Sequence, residues 1–418
     1  MEPAHARDRR CRLTVLHFVT DEFVPRPGGL EVSLLRTAQF LAATNAFSPI
    51  VYIRSGIHEY GDSTTVEGVP IVPLASRRAS WEAPLLASSV GPRTLRSERS
   101  RLDFLLLRSL IGASAASDTA TSQVIVSFFL MEHSFVAQQV AAALQLPHVA
   151  CIRGTDYSRG FHDPLTFPAI DYVAHAADLV LATNTEQRIA LERRGVTRVR
   201  TIIGSVPSAA LQHRWRRRSS AGVRLFANCG YSHKKGTQVL LHAFGVLRDD
   251  GFPVELTITG ADDEEQRAYW SALRDAAKAR FGSSVKFLGH VDEEDMYALL
   301  LQSDVYCSAT LGEGCSLARL TALAIGMPIV TTRCGEIPDL AADIAHVRVS
   351  PVADEWAFLE VLRRACGDVL GGAMRIDEDA VDRLRRYLTS ERERREWIEA
   401  LDRVSGKVHA EATRILRA

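Results

Sequence analysis

Hydrophobic positions along the chain fall into two alternating patterns. Short runs of aliphatic and β-branched residues read as buried strands, and longer segments with apolar residues three and four apart read as helices packed on one face. In the first half, strands are expected at residues 13–19, 49–53, 69–74, 124–129, 147–152 and 179–182. Helices are expected there at 30–43, 135–144, 167–177 and 183–194. In the second half the strands are 223–229, 254–259, 285–288, 305–307 and 329–332. The helices are 237–249, 264–281, 293–302, 316–325, 355–369 and 378–387. Strand–helix alternation is the pattern of a doubly wound parallel sheet, and here it starts twice. The interruption lies at 201–220, where Gly204, Pro207 and a basic run at 214–218 mark a junction. The expected division is an α/β domain at 1–205, a linker at 206–220 and a second α/β domain at 221–389. A charged helical segment at 390–418 is expected to pack back on the first domain.

Composition narrows the class. A chain of 418 residues is too long for one compact core, which agrees with two domains. Its 50 basic and 50 acidic residues cancel, so nothing electrostatic favours nucleic acid. Seven scattered cysteines, without a paired motif or a metal-ligand cluster, suggest reduced thiols and a cytoplasmic setting, with no metal and no cofactor. The basic start leads into a short apolar run interrupted by His17 and followed by Asp21 and Glu22, which reads as a first strand, not a signal peptide. No stretch approaches the length of a membrane span.

Candidate chemistry is concentrated in residues 308–340. A strand is followed by the turn Gly312-Glu313-Gly314, then by a helix beginning near Ser316. The first turn of a helix leaves backbone N–H groups unpaired, so the amides of Cys315, Ser316 and Leu317 are placed to hold a phosphate or sugar hydroxyls. Glu313 beside them is an acceptor for sugar hydroxyls. An ordinary strand-to-helix turn with a solvated glutamate is the competing reading. Gly28 and Gly29 precede a helix in the same way, as a phosphate approach or a tight turn. The loop from Gly230 to Gly236 carries Tyr231, His233, Lys234 and Lys235. Polar residues at carboxyl ends of parallel strands, where open α/β sheets bind ligands, include His133 and the run Arg153-Gly154-Thr155-Asp156. For His133 the alternative is a surface histidine at a helix start. Residues 76–118 interleave Arg93, Arg96, Arg99, Arg101 and Arg108 with leucines. They read as a core helix with solvated arginines, or as an acceptor-binding or membrane-surface helix.

Taken together, these motifs resemble the retaining glycosyltransferases of family 4, the group 1 glycosyltransferases. The resemblance runs over nearly the whole chain and is most specific at residues 285–340. It is supported by the GGLE run at 28–31, the RGTD run at 153–156 and the KKG run at 234–236. It implies the GT-B fold: two Rossmann-like, doubly wound parallel-sheet domains facing a cleft. It further implies that a nucleotide-diphosphate sugar is held mainly by the second domain and a sugar, glycan or lipid-linked acceptor mainly by the first. Lys235 would neutralise the donor diphosphate, and Glu313 would be the first glutamate of a Glu-x7-Glu signature touching the transferred sugar. Gly28, Gly29, Gly230, Tyr231, Lys234, Gly314, Cys315, Ser316, Leu317 and Thr321 would complete the donor site, with His133, Arg153 and Asp156 toward the acceptor. The activity implied is transfer of a hexose with retention of anomeric configuration, without metal.

Two positions depart from the family pattern. The second glutamate of the signature falls at Thr321, which cannot hold ribose hydroxyls as a carboxylate does. The arginine usual after the loop's opening glycine is Tyr231, leaving Lys234 or His233 to supply that charge. A second reading is therefore a catalytically silent GT-B protein that binds a sugar or nucleotide or assists a partner glycosyltransferase. Weak contact with a membrane surface through residues 95–110 is a further expectation.

Overall fold

The computed structural model describes residues 13–25, 29–54, 60, 64–75, 77, 92–117, 121–217, 221–230, 233–260 and 267–405. Internal contacts divide the chain into two units. Residues 1–182, 186–202 and 394–418 form the first, and residues 183–185 and 203–393 form the second.

The first unit is built on eight strands: β1 (Thr14–Thr20), β2 (Phe47–Ile53), β3 (Thr65–Val66), β4 (Val69–Pro73), β5 (Ser122–Phe128), β6 (His148–Cys151), β7 (Leu179–Ala182) and β8 (Val199–Thr201). They lie in the order β3-β4-β2-β1-β5-β6-β7-β8. All neighbours run parallel except β3 and β4. Both sheet faces are covered, so the central strands are apolar on each side. Leu16 and Phe18 pack with Leu34 and Leu41 of helix Gly29–Ala42 on one face. Val19 and Ile125 pack with Leu107 and Ile111 of helix Pro92–Ser117 and with Val136 and Val140 of helix Glu132–Leu144 on the other. The last described helix, Ser390–Ser405, is strongly charged, yet it adds Trp397, Ile398 and Leu401 to the first of these cores. Its apolar residues fall one and four apart and share a single stripe. Trp397 lies parallel to Phe128, with ring centroids 6.4 Å apart.

The second unit has six parallel strands: β9 (Val223–Asn228), β10 (Val254–Thr259), β11 (Val285–Gly289), β12 (Val305–Ser308), β13 (Ile329–Thr332) and β14 (Val347–Ser350). Their order, β11-β10-β9-β12-β13-β14, is that of a doubly wound nucleotide-binding sheet. Helices Thr237–Asp249 and Glu355–Leu370 contribute Leu240, Phe244, Phe358 and Leu362 to one core. Helices Glu293–Gln302, Leu317–Ile325 and Glu378–Tyr387 contribute Leu300, Leu320, Leu323 and Leu384 to the other.

Strands β3, β8 and β14 escape the hydrophobic pattern for one reason. All three lie at sheet edges. They are only two to four residues long, and β8 and β14 are interrupted by Arg200 and Arg348. An edge strand needs no apolar run, because only part of it is covered. Helix Pro92–Ser117 accounts for much of the arginine–leucine segment. Leu107 and Ile111 are buried, while the Arg101 side chain is 73% exposed.

Candidate functional site

Among the parallel strands of each sheet the order reverses once, between β1 and β5 in the first and between β9 and β12 in the second. Open α/β sheets bind ligands outside the carboxyl ends of the strands at such a reversal, because the loops there diverge to opposite faces and leave a crevice. Most of the described candidate residues lie on the segments that leave these four strands, while Arg153 and Asp156 follow β6.

In the second unit, the loop after β9 closes onto the loop after β12. Gly236 sits at φ +68°, and a Cβ there would lie 2.0 Å from the Ala309 carbonyl oxygen, so only glycine allows this approach. The Lys234 carbonyl accepts from the Leu311 amide at 2.8 Å and from the Thr310 hydroxyl at 3.0 Å. With the backbones fixed, the Lys235 ammonium donates to Glu313 Oε2 at 2.7 Å. The Lys235 side chain is 35% exposed and that of Glu313 12%. Burial raises the Glu313 carboxyl, but the charges of Lys235, then Arg319 and Lys234, outweigh it and hold the group at about 2.

Ser316 caps helix Leu317–Ile325, its hydroxyl accepting from the Arg319 amide at 3.5 Å. Its own amide donates to Glu336 Oε2 at 3.2 Å. Of the three first-turn amides expected to meet a ligand, this one is engaged inside the protein by a carboxylate that takes the place of an external anion. Cys315 lies beside Gly204, whose Cβ, if present, would be 3.7 Å from the sulfur, and burial pushes the thiol well up. The carbonyl of Gly314 accepts from Asn184 Nδ2 at 2.7 Å. Thr321 is fully buried, and its hydroxyl finds no partner among the described residues.

Gly230 adopts φ +61°, and its amide donates to the Thr259 carbonyl at 2.9 Å, tying the start of the lysine loop to the end of β10. Tyr231 and Gly28 lie outside the described residues. Gly29 opens its helix, and a Cβ there would meet nothing within 4 Å.

In the first unit, His133 is buried, not superficial. Its Nδ1 lies 3.0 Å from Asp21 Oδ2 and its Nε2 lies 2.8 Å from the Phe128 carbonyl oxygen. Asp21 directly follows β1, and His133 stands in the first turn after β5. Arg54 joins the cluster with Nη1 at 3.1 Å from Asp21 Oδ1 and Nε at 2.6 Å from Asp103 Oδ2. Burial raises the Asp21 carboxyl, but His133 and Arg54 outweigh it and hold the group far below the ordinary range. The Arg153 guanidinium stacks 3.8 Å over the Phe128 ring. Asp156 is fully buried and accepts backbone amides of Leu130, Arg153, Gly154 and Tyr157. It therefore holds the turn after β6 together.

The sequence reading did not single out Asp21, Arg54, Asp103, Asn184, Arg319 or Glu336. Arg319 and Glu336 carried a signal: charged residues inside the otherwise apolar stretch that follows Glu313.

Residues 223–368 match the family model described as glycosyl transferases group 1. Over 130 residues the chain is 30% identical to a phosphatidyl-myo-inositol mannosyltransferase of Mycobacterium leprae, covering 31% of this chain and 33% of that protein. Over 149 residues it is 27% identical to the amylovoran biosynthesis glycosyltransferase AmsK of Erwinia amylovora, covering 34% and 35%. The chain thus spans about a third of the length of these curated relatives. Among solved structures, sucrose-phosphate synthase from Thermosynechococcus elongatus superposes with a TM-score of 0.73 at 14% identity, covering 94% of this chain and 99% of that one. Anabaena HepE in complex with UDP gives 0.66 at 14% identity, covering 94% and 100%. Among the described residues no helix is long and apolar enough to cross a membrane. Residues 223–368 are thus similar to the group 1 glycosyltransferases, and the chain as a whole has the GT-B fold.

Proposed function

We propose that the protein transfers a sugar from a nucleotide-diphosphate donor to a sugar, glycan or lipid-linked acceptor, with retention at the anomeric carbon. The observation that carries this reading is the Lys235–Glu313 contact of 2.7 Å at the strand-order reversal of a domain similar to the group 1 glycosyltransferases. Supporting it, one similar structure is a complex with UDP, and a relative is a mannosyltransferase.

The chemistry follows from charge. Cleaving the bond between the anomeric carbon and phosphate oxygen builds negative charge on the departing diphosphate and positive charge on the sugar ring. A fixed ammonium stabilises that separation more than it stabilises the intact donor, which is what lowers a barrier. In this reading Lys235 exchanges part of its contact with Glu313 for the diphosphate. Glu313, held ionised at neutral pH, accepts hydroxyls of the transferred sugar and orients its ring. Retention requires the acceptor to approach the face the diphosphate leaves, and the leaving phosphate then takes the acceptor proton. A glycosidase-like pair of opposed carboxylates is not part of this scheme.

The test is incubation of the full chain with UDP-, GDP-, ADP- and TDP-sugars. Release of the nucleotide diphosphate, abolished by Lys235→Ala and by Glu313→Ala, supports transfer. Tight nucleotide binding that raises the melting temperature, without turnover of any donor, would instead fit the catalytically silent alternative.

A further inference from the structure

We infer that the buried Arg319–Glu336 pair is a positioning device for Glu313, locking the loop that carries this carboxylate to the loop that leaves β13. The inference rests on the proposed donor-binding role of Glu313. It assigns a function to two residues buried away from solvent.

The geometry is continuous from the pair to the carboxylate. Arg319 and Glu336 are both fully buried. The guanidinium forks onto both carboxylate oxygens, with Nε 2.9 Å from Oε1 and Nη2 2.8 Å from Oε2. The same guanidinium reaches β13 and its exit: Nη1 lies 3.3 Å from Thr331 Oγ1, and Nη2 lies 3.3 Å from the Cys334 carbonyl oxygen. Glu336 in turn accepts the Ser316 amide, the N-cap of Arg319's own helix. Between the two lies Gly335, at φ +66°. A Cβ there would stand 2.7 Å from Arg319 Nη2, 3.1 Å from the Gly314 carbonyl oxygen and 3.2 Å from Glu313 Cβ. The backbone at Gly335 is therefore pressed against the residue whose carboxylate meets Lys235.

Stability alone is a poor reason for this arrangement. Taking two full charges out of water is costly, and apolar residues of similar volume often replace a buried pair without loss. What apolar residues cannot supply is the fork, which fixes distance and orientation between two loops at once. Small displacements of a substrate-orienting group cost catalysis heavily, so a rigid link at this place has chemical value.

The test compares the full chain with Arg319→Met/Glu336→Met and with Arg319→Lys. The single change Arg319→Met would leave the buried Glu336 carboxyl without its counter-charge, and is the variant prone to misfold. Removing both charges avoids that. The double variant is expected to melt within a few degrees of the parent, with kcat reduced about tenfold or more and KM for the nucleotide sugar changed less than threefold. Arg319→Lys, which keeps the charge but not the fork, recovers part of kcat. A crystal structure of the double variant is expected to show the Lys235–Glu313 contact broken. Parental kcat in a folded double variant overturns the inference. Should the parent turn over no donor, the proposed function fails, and the crystal structure alone decides: a contact kept at its original length overturns the positioning role, and a broken one upholds it.

Discussion

Lys235 and Glu313 are 78 positions apart in the chain, yet the ammonium donates to the carboxylate at 2.7 Å. The loops that carry them leave adjacent parallel strands, β9 and β12, at the one place in the second sheet where neighbouring strands are not joined by the shortest crossover. Each loop is anchored by backbone hydrogen bonds before its side chain is considered.

Removing either partner is expected to lower turnover of a nucleotide sugar by about 10²–10³, the typical cost of losing one transition-state donor. Melting temperatures should change little, because a partly exposed pair contributes only about 0–1 kcal/mol. With Lys235→Met, the leading charge that depresses the Glu313 carboxyl is gone, so Glu313 titrates at higher pH. The acid limb of the pH–rate profile should then move upward. An unmoved limb would show that Glu313 does not govern it.

Gly236→Ala is expected to be costly in a way that reports on the loop junction. The new Cβ meets the Ala309 carbonyl oxygen at 2.0 Å, and the backbone must remain at positive φ. Strain of this kind is about 1–3 kcal/mol before the clash is counted. Urea unfolding of the variant measures the loss, and nucleotide binding by calorimetry should weaken alongside it. Gly29→Ala is the control: its Cβ meets nothing within 4 Å, so stability should be unchanged or slightly improved.

Thr321→Val is expected to preserve or raise stability, by up to about 1 kcal/mol, since it removes a buried hydroxyl without a partner among the described residues. A marked fall in stability on thermal melting would mean that the hydroxyl has a partner in the folded protein.

The first unit should be acid-sensitive. His17 is lowered to about 4 by burial, opposed by its bond to Gln123, and His148 to about 3 by burial with the His133 charge adding to it. Both are neutral in the folded chain at pH values where the unfolded chain is already protonated. From about pH 6.5 down to about 4 the unfolded state binds more protons, so stability falls as pH falls, by about 1.4 kcal/mol per pH unit for each histidine. The depressed carboxyls of Asp21 and Glu313 have the same sign of effect, but only below the ordinary carboxylate range. Urea midpoints measured from pH 7 to 4 should decline steadily; a flat profile to pH 5 would exclude the histidines as the cause.

Helix Pro92–Ser117 offers a surface test. Leu105 is 43% exposed and the Arg101 side chain 73% exposed. Arg96→Glu with Arg101→Glu is expected to leave the fold intact and to reduce cosedimentation with anionic liposomes. If the parent protein does not bind such vesicles, the membrane-surface reading ends there.

Much of this protein was legible in its sequence. Two alternating series of apolar runs and amphipathic segments specified two parallel sheets with helices on both faces, because burial on each face demands that pattern. Glycines beside lysine and glutamate marked the lysine and glutamate loops, since close backbone approach and positive φ leave few other choices. The tertiary structure decided what no local pattern could carry. The mutual fixation of Arg319 and Glu336, the engagement of the Ser316 amide by a carboxylate 20 residues away, and the cluster of Asp21, Arg54 and His133 all depend on which strand ends become neighbours. Periodicity records which side of an element is buried. It does not record which charged group waits on the other side, because that is set by strand order and by distances through space.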